Sequence, residues 1–481
     1  MIRYDREKTM VFSSMIFLWI FLPAVLITYY LCPQKFRNIL LVLFSLLFYA
    51  WGEPKYIVLM LVSVTINYVS GILLEDHPVR KKQVLTACIT ANLLLLGYFK
   101  YFNFAVDTAN KILDIFHSGE AFPAREIALP IGISFYTFQA LSYVVDAYRG
   151  EVKAQRNYLD MLLYVSFFPQ LIAGPIVKYH DVEKQIHCRT VTVEKFAYGI
   201  RRFCFGLGKK VLLANAFAQV VDDVYSKNLD EVSRKVLWFA ALLYMLQIYF
   251  DFSGYSDMAI GLGKMFGFDF QENFDYPYIS TSIRDFWRRW HISLSSWFRD
   301  YLYIPLGGNR GGRGKTYRNL LIVFLVTGLW HGAGWNFVLW GLYHGIFLIL
   351  ERSFLGKILE RLPDFVGRFY SLIVVFWGWI LFRAEDFGAF CTYVKNMFVP
   401  HTSAVVMAGY WDKKMAVCVL AGLLLCGFAQ LVIKKIREHF PVKKSVTGVS
   451  VPEIVCCLAL FWLSVMALAN DSYNPFIYFR F

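Results

Sequence analysis

The chain has 481 residues, of which 57% are hydrophobic and 17% are charged, and its mean hydropathy is +0.46. Soluble globular domains carry about a quarter charged residues, so this composition argues against a soluble protein and indicates a protein embedded in a lipid bilayer. The formal charge of +14 comes largely from short segments between apolar runs. That pattern is typical of cytoplasmic loops, and we therefore expect no nucleic-acid partner.

Apolar stretches without Asp, Glu, Lys or Arg predict the membrane crossings, because a helix needs about 20 residues to cross the bilayer core. In chain order these stretches are 11–31, 38–52, 56–74, 83–99, 127–145, 161–177, 236–250, 319–350, 369–382, 415–433 and 454–470. They predict an all-α polytopic membrane protein with about 11 transmembrane helices. The first stretch is too long for a signal peptide and is interpreted as the first crossing.

The distribution of basic residues predicts which loops lie on the cytoplasmic side of the membrane. Loops 32–37 and 75–82 are basic, whereas the turn between them is neutral. The positive-inside rule places both loops in the cytoplasm and the N-terminus outside. Segments 178–235 and 281–318 mix basic residues with apolar or Trp-rich stretches. They predict buried, re-entrant or interfacial amphipathic helices near the cytoplasmic face.

Stretch 319–350 is the first place to look for a functional site. Its 32 uncharged residues exceed one crossing, and a glycine-rich run from Gly328 to Gly334 lies near its middle. This pattern predicts a helix, a tight turn and a second helix. Irregular backbone at membrane depth is tolerated only where it is buried in protein or lines a cavity.

Three histidines stand out from the other six, which lie in polar or connecting segments. His331 falls in the glycine-rich run, where a buried neutral imidazole suits a general base. His344 lies in an otherwise regular helix, which favours a packing role through hydrogen bonds between helices. His291 follows Trp287 and Trp290, and the sequence leaves an interfacial and a catalytic role equally open.

Other motifs argue against competing classes of site. The run from Gly308 to Thr316 resembles a phosphate-binding loop but has Asn309 where the first glycine is required. The run from Gly132 to Tyr136 lacks the second glycine of a nucleophile elbow, so a serine hydrolase is not supported. The nine cysteines contain no C-x-x-C pair, and we predict neither a disulfide framework nor a metal site.

Several motifs together resemble one known family, the membrane-bound O-acyltransferases, and within it the bacterial alginate O-acetylation branch. The matching segments are 129–139, 249–259, 285–295, 297–308, 328–332 and 474–481. The branch typically begins Met-Val-Phe-Ser-Ser, which is Met10–Ser14 here. The resemblance therefore implies a single membrane-embedded domain, 10–481, preceded by an N-terminal extension, 1–9.

The resemblance also implies a site and a reaction. His331 corresponds to the catalytic histidine of the family and His291 to the second histidine of its bacterial members, in a bundle enclosing a central tunnel. Substrate-binding roles are expected for Trp287, Trp290, Ser293, Trp330, Gly332 and Asp251. The expected acyl donor is cytoplasmic acetyl-CoA or an acylated carrier protein, with no tightly bound cofactor. The expected acceptor is a polysaccharide or a periplasmic or surface acetyl-transfer protein, served from the bacterial cytoplasmic membrane.

Two alternatives stay open. The related D-alanyl transferases of teichoic acid synthesis share the family. A transporter or channel belongs to another class, which usually shows carboxylates within the membrane, and stretch 319–350 contains none. The chemistry is also open, because His331 permits direct transfer while Ser293 and Ser295 beside His291 permit a covalent seryl intermediate.

Overall fold

A computed structural model describes residues 10–116, 122–123, 127–433, 451–471 and 473–477, so the predicted extension 1–9 lies outside the described residues. The described residues are helical and contain two isolated β-bridges, Val232 with Val405 and Phe274 with Trp290, but no extended strand. This confirms the predicted all-α class. The chain divides into two compact units, which are described separately.

The first unit comprises the described residues of Met1–Val191 and of Gly263–Phe270. Its helices are α1 (Leu22–Leu31), α2 (Arg37–Gly52), α3 (Ile57–Asp76), α4 (Lys81–Ile115), α5 (Ile133–Arg149), α6 (Tyr158–Ser166), α7 (Phe168–Leu171) and α8 (Tyr179–His187). A π-helical turn, Phe17–Phe21, leads into α1. The apolar helix formed by these two segments is Phe17–Leu31.

The predicted crossing 161–177 is wrong as a single helix. Helix α6 ends at Ser166, because Phe167 leaves the helical region with ψ 114°. The chain re-enters a helix only for Phe168–Leu171, with Pro169 in the first turn, where its missing N–H costs nothing. Crossing 127–145 is likewise shortened, since α5 begins after Gly132, whose left-handed φ of +77° breaks the helix.

The second unit comprises the described residues of Thr192–Leu262 and of Gln271–Phe481. Its helices are α9 (Val193–Gly208), α10 (Asn215–Ser226), α11 (Arg234–Met265, whose last three residues belong to the first unit), α12 (Ile283–Arg289), α13 (Ile292–Phe298), α14 (Arg313–His331), α15 (Trp335–Leu350), α16 (Gly356–Leu359), α17 (Asp364–Arg383), α18 (Phe387–Phe398), α19 (Lys413–Leu423) and α20 (Val451–Asn470). π-Helical turns extend α13 through Arg299–Tyr303, α15 through Glu351–Leu355 and α19 through Leu424–Phe428.

Nine helices in the described part of the chain are long and apolar enough to cross a membrane. They are Gln34–Gly52, Ile57–Asp76, Pro78–Ile115, Val193–Ser226, Arg234–Met265, Trp335–Leu359, Asp364–Arg383, Lys413–Ile433 and Val451–Asn470. The protein is therefore a multi-pass membrane protein. The predicted count of 11 crossings is not confirmed by this set, and the central tunnel stays a prediction.

Val193–Ser226 falls in segment 178–235, where buried, re-entrant or interfacial amphipathic helices are predicted, and it is largely buried within the protein. A π-helical turn at Lys209–Ala214 joins α9 to α10, so the helix continues through two adjacent lysines. Both lysines are neutralised within the second unit: Lys209 Nζ lies 2.6 Å from Asp257 and Lys210 Nζ lies 2.7 Å from Asp251. Pairing removes the cost that an isolated ammonium group would carry in an apolar helix.

The pair of Lys210 and Asp251 also holds the C-terminal segment. Both side chains are almost fully buried, at 3% and 1% exposure. The ammonium group of Lys210 donates to the carbonyl oxygen of Pro475, and Asp251 Oδ2 accepts from the backbone N–H of Ile477 at 2.8 Å. Phe476 stacks on Tyr255 with ring centroids 4.6 Å apart. Residues 475–477 are therefore part of the core of the second unit.

Stretch 319–350 forms two helices, as predicted. Helix α14 ends at His331 and α15 begins at Trp335, so the break falls at residues 332–334. The two helices pack closely because Gly328 and Gly341 face each other: a Cβ on Gly341 would lie 2.2 Å from the carbonyl oxygen of Phe324. Helix α14 is absent from the nine candidate spans because its first turns carry Lys315 and Arg318.

Candidate active site

His331 is the last residue of α14 and is 4% exposed. Its imidazole packs against three aromatic rings, with centroid distances of 5.0 Å to Trp330, 5.1 Å to Trp340 and 5.3 Å to Phe382. The backbone after it is extended at Gly332. Only glycine fits there, since a Cβ on Gly332 would lie 2.1 Å from the ring of Phe337. The break between the helices thus presents His331 inside an aromatic cluster.

His291 lies in the turn between α12 and α13 and is 1% exposed. Its backbone is left-handed at φ +47°, which is uncommon for a residue with a side chain. The ring packs edge-on against Phe252 at 4.7 Å and lies 6.0 Å from the ring of Trp330. Since Trp330 also contacts His331, one indole joins the two histidines, which are 40 positions apart in the sequence.

Burial determines the protonation state of His291. It lowers the pKa of this imidazole from its usual 6.5 to about 3, because the apolar surroundings disfavour the charged ring. His291 is therefore neutral at physiological pH. A neutral imidazole retains one ring nitrogen with a lone pair, which can accept a proton or a hydrogen bond.

The tryptophans of the site are buried rather than interfacial. Trp287 is 8% exposed and packs 5.6 Å from Trp340, while Trp290 is 2% exposed and lies 4.8 Å from Trp379. Among the described residues, the indole N–H groups of Trp287 and Trp340 are buried without a protein acceptor. Buried donors are normally satisfied by an acceptor, so each of these two N–H groups is a candidate donor to an oxygen atom of the substrate.

His344 packs between helices as predicted, but through ring contacts, since its Nδ1 has no hydrogen-bond partner among the described residues. Its ring lies 5.1 Å from that of Trp287 and 5.0 Å from that of Trp340. On the other side it touches the backbone of α17, where a Cβ on Gly378 would lie 2.7 Å from Nε2. Only glycine leaves room there for the imidazole.

Two predicted substrate-binding residues have protein partners in the structure. Asp251 pairs with Lys210 and accepts from Ile477, and Ser293 Oγ donates to Asn273 Oδ1 at 2.8 Å. These contacts give both residues a structural role, and their contact with substrate stays a prediction. Asn273 itself was not predicted, nor were Trp340 and Phe382, since nothing in the sequence indicates that they lie near either histidine.

The absence of a metal site and of a tightly bound cofactor remains a prediction. In the described part of the chain, one group of ligand-type side chains has its ligand atoms within 4.8 Å of one another: Asp146, Glu151 and His180. This group belongs to the first unit, and His180 Nδ1 already pairs with Asp146 Oδ2 at 2.8 Å. The contact is explained as an ion pair.

Comparison with known proteins identifies the family. The model of the membrane-bound O-acyltransferase family matches residues 151–382. A protein named "Probable alginate O-acetylase AlgI" from Azotobacter vinelandii is 40% identical over 98% of this chain and 100% of its own length. The "Peptidoglycan O-acetyltransferase" of Helicobacter pylori is 36% identical over 82% of this chain and 80% of its own length. The "Teichoic acid D-alanyltransferase" of Bacillus subtilis is 30% identical over 54% of this chain and 73% of its own length.

The segment matched by the family model, 151–382, includes both histidines and the aromatic residues around them. The near full-length match to the alginate O-acetylases agrees with the motifs at 129–139 and 249–259. The chain therefore belongs to the membrane-bound O-acyltransferase family, in its alginate O-acetylase branch, and is an O-acyltransferase.

Proposed function

We propose that this protein transfers an acetyl group from a cytoplasmic thioester to a hydroxyl group of an exported or cell-wall polysaccharide. The donor is acetyl-CoA or an acylated carrier protein, and transfer occurs directly or through a surface partner. The observation that carries the proposal is that two buried histidines, His331 and His291, both contact the ring of Trp330. The bacterial cytoplasmic membrane is the compartment where such a donor and such an acceptor can meet.

His331 acts as the general base in this proposal. It removes the proton from the acceptor hydroxyl, and the hydroxyl oxygen attacks the carbonyl carbon of the thioester. The tetrahedral intermediate then collapses, the carbon–sulfur bond breaks, and the thiolate takes the proton back from the imidazolium of His331. No covalent intermediate on the protein is needed. A seryl intermediate on Ser293 is disfavoured because its hydroxyl already donates to Asn273.

The indole groups support the developing negative charge. The N–H groups of Trp287 and Trp340 are buried and donate to no protein acceptor among the described residues; the ring of Trp340 contacts His331, and that of Trp287 contacts Trp340. A thioester carbonyl seated between the aromatic rings would accept from such donors as charge builds on its oxygen. The rings of Trp290 and Trp330 exclude water from the same space, which protects the thioester from hydrolysis. Gly332 leaves room for the ring of Phe337 in the turn after His331.

Acetyl rather than D-alanyl transfer is favoured by the extent of the matches. The alginate O-acetylases match 98% of this chain, whereas the D-alanyltransferase of Bacillus subtilis matches 54%. A D-alanyl group carries a methyl and a charged ammonium on its α-carbon that an acetyl group lacks. The aromatic rings and neutral His291 around His331 offer no carboxylate to that ammonium.

The test is transfer by the purified full-length protein in liposomes. Labelled acetyl-CoA, acetylated carrier protein and D-alanyl carrier protein are supplied in separate reactions with alginate or peptidoglycan fragments outside. We expect label on the polysaccharide from an acetyl donor only. Transfer from the D-alanyl carrier alone, or uptake of the fragments without transfer, would contradict the proposal. Label that stays on the denatured protein and is lost in Ser293→Ala would contradict direct transfer.

A further inference from the structure

Asn273 holds the turn that carries His291. It is fully buried, in the segment between α11 and α12. Its side-chain Oδ1 accepts from the backbone N–H of Ser293 at 3.2 Å and from Ser293 Oγ at 2.8 Å, and lies 3.2 Å from His291 Nδ1. On its other side, Asn273 Nδ2 donates to Ser256 Oγ at 3.1 Å. Oxygen and nitrogen of the amide therefore face opposite sets of partners.

The backbone N–H of Ser293 determines which way the amide points. A backbone N–H can only donate, so the amide atom that faces it must be the oxygen. If the amide were flipped, its NH₂ group would face that N–H, donor against donor, and its oxygen would face Ser256. The contact to Ser293 therefore assigns Oδ1 to the side of His291 without reference to the histidine itself.

The same oxygen determines the tautomer of His291. Oδ1 of Asn273 has no proton to give, so a hydrogen bond to His291 Nδ1 requires the proton to be on Nδ1. Burial keeps this imidazole neutral, and a neutral imidazole has a single N–H. Nε2 therefore carries the lone pair.

Asn273 also holds the backbone of His291. The carbonyl oxygen of Asn273 accepts from the N–H of Ile292 at 3.0 Å, and Phe274 forms an antiparallel bridge with Trp290. These contacts lie on both sides of the left-handed residue. A left-handed conformation in a non-glycine residue costs about 1–3 kcal/mol and persists only where its surroundings impose it.

We propose that Asn273 is a positioning residue that holds His291 as the Nδ1–H tautomer and presents the Nε2 lone pair to the substrate. In this role His291 accepts a hydrogen bond from an O–H or N–H group of the substrate. It does not donate to the thioester carbonyl, a task left to the indole groups. The identity of the substrate group rests on the proposed function, whereas the tautomer rests on the contacts of Asn273 and on the burial of His291.

The tautomer can be measured without substrate. Full-length protein labelled with ¹⁵N-histidine is studied by NMR in lipid, and His291→Gln identifies the resonances of His291. We expect a protonated Nδ1 and an unprotonated Nε2 in the wild type and in Asn273→Asp, which keeps an acceptor oxygen. Asn273→Ala should populate the other tautomer. Nε2–H in the wild type, or no change in Asn273→Ala, would overturn the proposal even if the protein transfers acetyl groups.

Transfer kinetics provide the second measurement. Asn273→Ala should lower kcat by about tenfold or more with a smaller effect on KM, because a wrongly held histidine impairs the reaction after binding. Asn273→Asp should retain more activity than Asn273→Ala. The matched control is Asn396→Ala, another buried asparagine of the second unit, which donates to Leu229 and Asp230. An equal loss in Asn396→Ala would assign the effect to general packing and overturn the positioning role.

Discussion

At the scale of the single residue, His331 has the clearest expected effect. His331→Ala removes the proposed proton acceptor while leaving the aromatic rings around it, so the protein should fold and insert into the membrane. Transfer in liposomes should fall by about 10²–10⁴, the usual contribution of a general base. His401→Ala is the control, because His401 only bonds to the backbone oxygens of Val399 and Val232. Wild-type transfer by His331→Ala would show that another group accepts the proton.

His180, in the first unit, has a pH-dependent effect on stability. Its hydrogen bonds to Asp146 and then Asp181 raise its pKa to about 10. A raised pKa stabilises the folded state fully below the unfolded value of about 6.5, and that stabilisation is lost as the pH rises toward 10. Because the side chain is 39% exposed, solvent limits the effect to about 1 kcal/mol.

His180→Asn should therefore lower the thermal stability at pH 6 and have a much smaller effect at pH 10. Melting of the detergent-solubilised protein across this range is the measurement. His187→Asn is a suitable comparison, since this histidine is on the same helix and half exposed, 3.6 Å from Asp160. A deficit in His180→Asn that grows with pH would contradict the assigned sign.

The sequence singles out a candidate residue such as His331 more readily than it indicates which side chains contact that residue in the fold. His331 could be recognised because an ionisable group interrupted a long uncharged stretch. Asn273 could not, because it lies 18 positions from His291 and approaches it only through the pairing of Phe274 with Trp290. Asparagine in a polar segment carries no signal of burial. Asn273 contacts His291 only in the folded protein, and no sequence pattern indicates that contact.

At the scale of the element, the crossing of α14 and α15 depends on two glycines. Gly341→Leu would place side-chain atoms where the carbonyl of Phe324 lies, and the helices would have to separate. We expect a loss of about 1–3 kcal/mol of stability, typical of overpacking, together with reduced transfer since His331 ends α14. Gly314→Leu is the control, because a Cβ there meets nothing within 4 Å. Equal melting temperatures for the two variants would contradict the role of close packing.

Helix boundaries in the sequence were predictable where charges or glycines interrupt an apolar run. The break in 319–350 follows from its glycines, and it falls at residues 332–334. The break at Phe167 was missed because the apolar run 161–177 contains no charge, although Pro169, Gly174 and Pro175 lie inside it. Lys209 and Lys210 lie inside one continuous helix because they pair with Asp257 and Asp251, partners that the sequence does not indicate. Membrane helices predicted from uncharged stretches are therefore missed where a charged residue is paired with one distant in the sequence.

At the scale of the whole molecule, the orientation in the membrane is testable in intact cells. Single cysteines replace Lys35 and Arg80, which are exposed and predicted to be cytoplasmic, in a background without native cysteines. An impermeant thiol reagent should leave both unlabelled. Lys55→Cys is the control, because one predicted crossing separates it from each of the other two, and it should be labelled. Labelling of positions 35 and 80 but not 55 would reverse the orientation.

The buried pair of Lys210 and Asp251 links the C-terminal segment to the core of the second unit. Asp251→Asn leaves the ammonium group of Lys210 buried without its counter-charge, and breaking a buried pair in this way costs about 3–5 kcal/mol. We expect a low yield of folded protein and a large fall in melting temperature. Asp223→Asn is the control, since it breaks the exposed pair with Lys227 and should cost about 1 kcal/mol at most.

A second substitution separates the structural role of Asp251 from its predicted contact with substrate. Lys210→Met combined with Asp251→Asn removes both charges, and the amide oxygen introduced in place of the carboxylate can still accept from the N–H of Ile477. The double variant should regain most of the stability lost in Asp251→Asn, since no buried charge is left unpaired. A double variant no more stable than the single one would contradict the ion-pair explanation. If the folded double variant also transfers acetyl groups at the wild-type rate, Asp251 serves the fold alone, whereas a stable but inactive variant would place its carboxylate in the reaction.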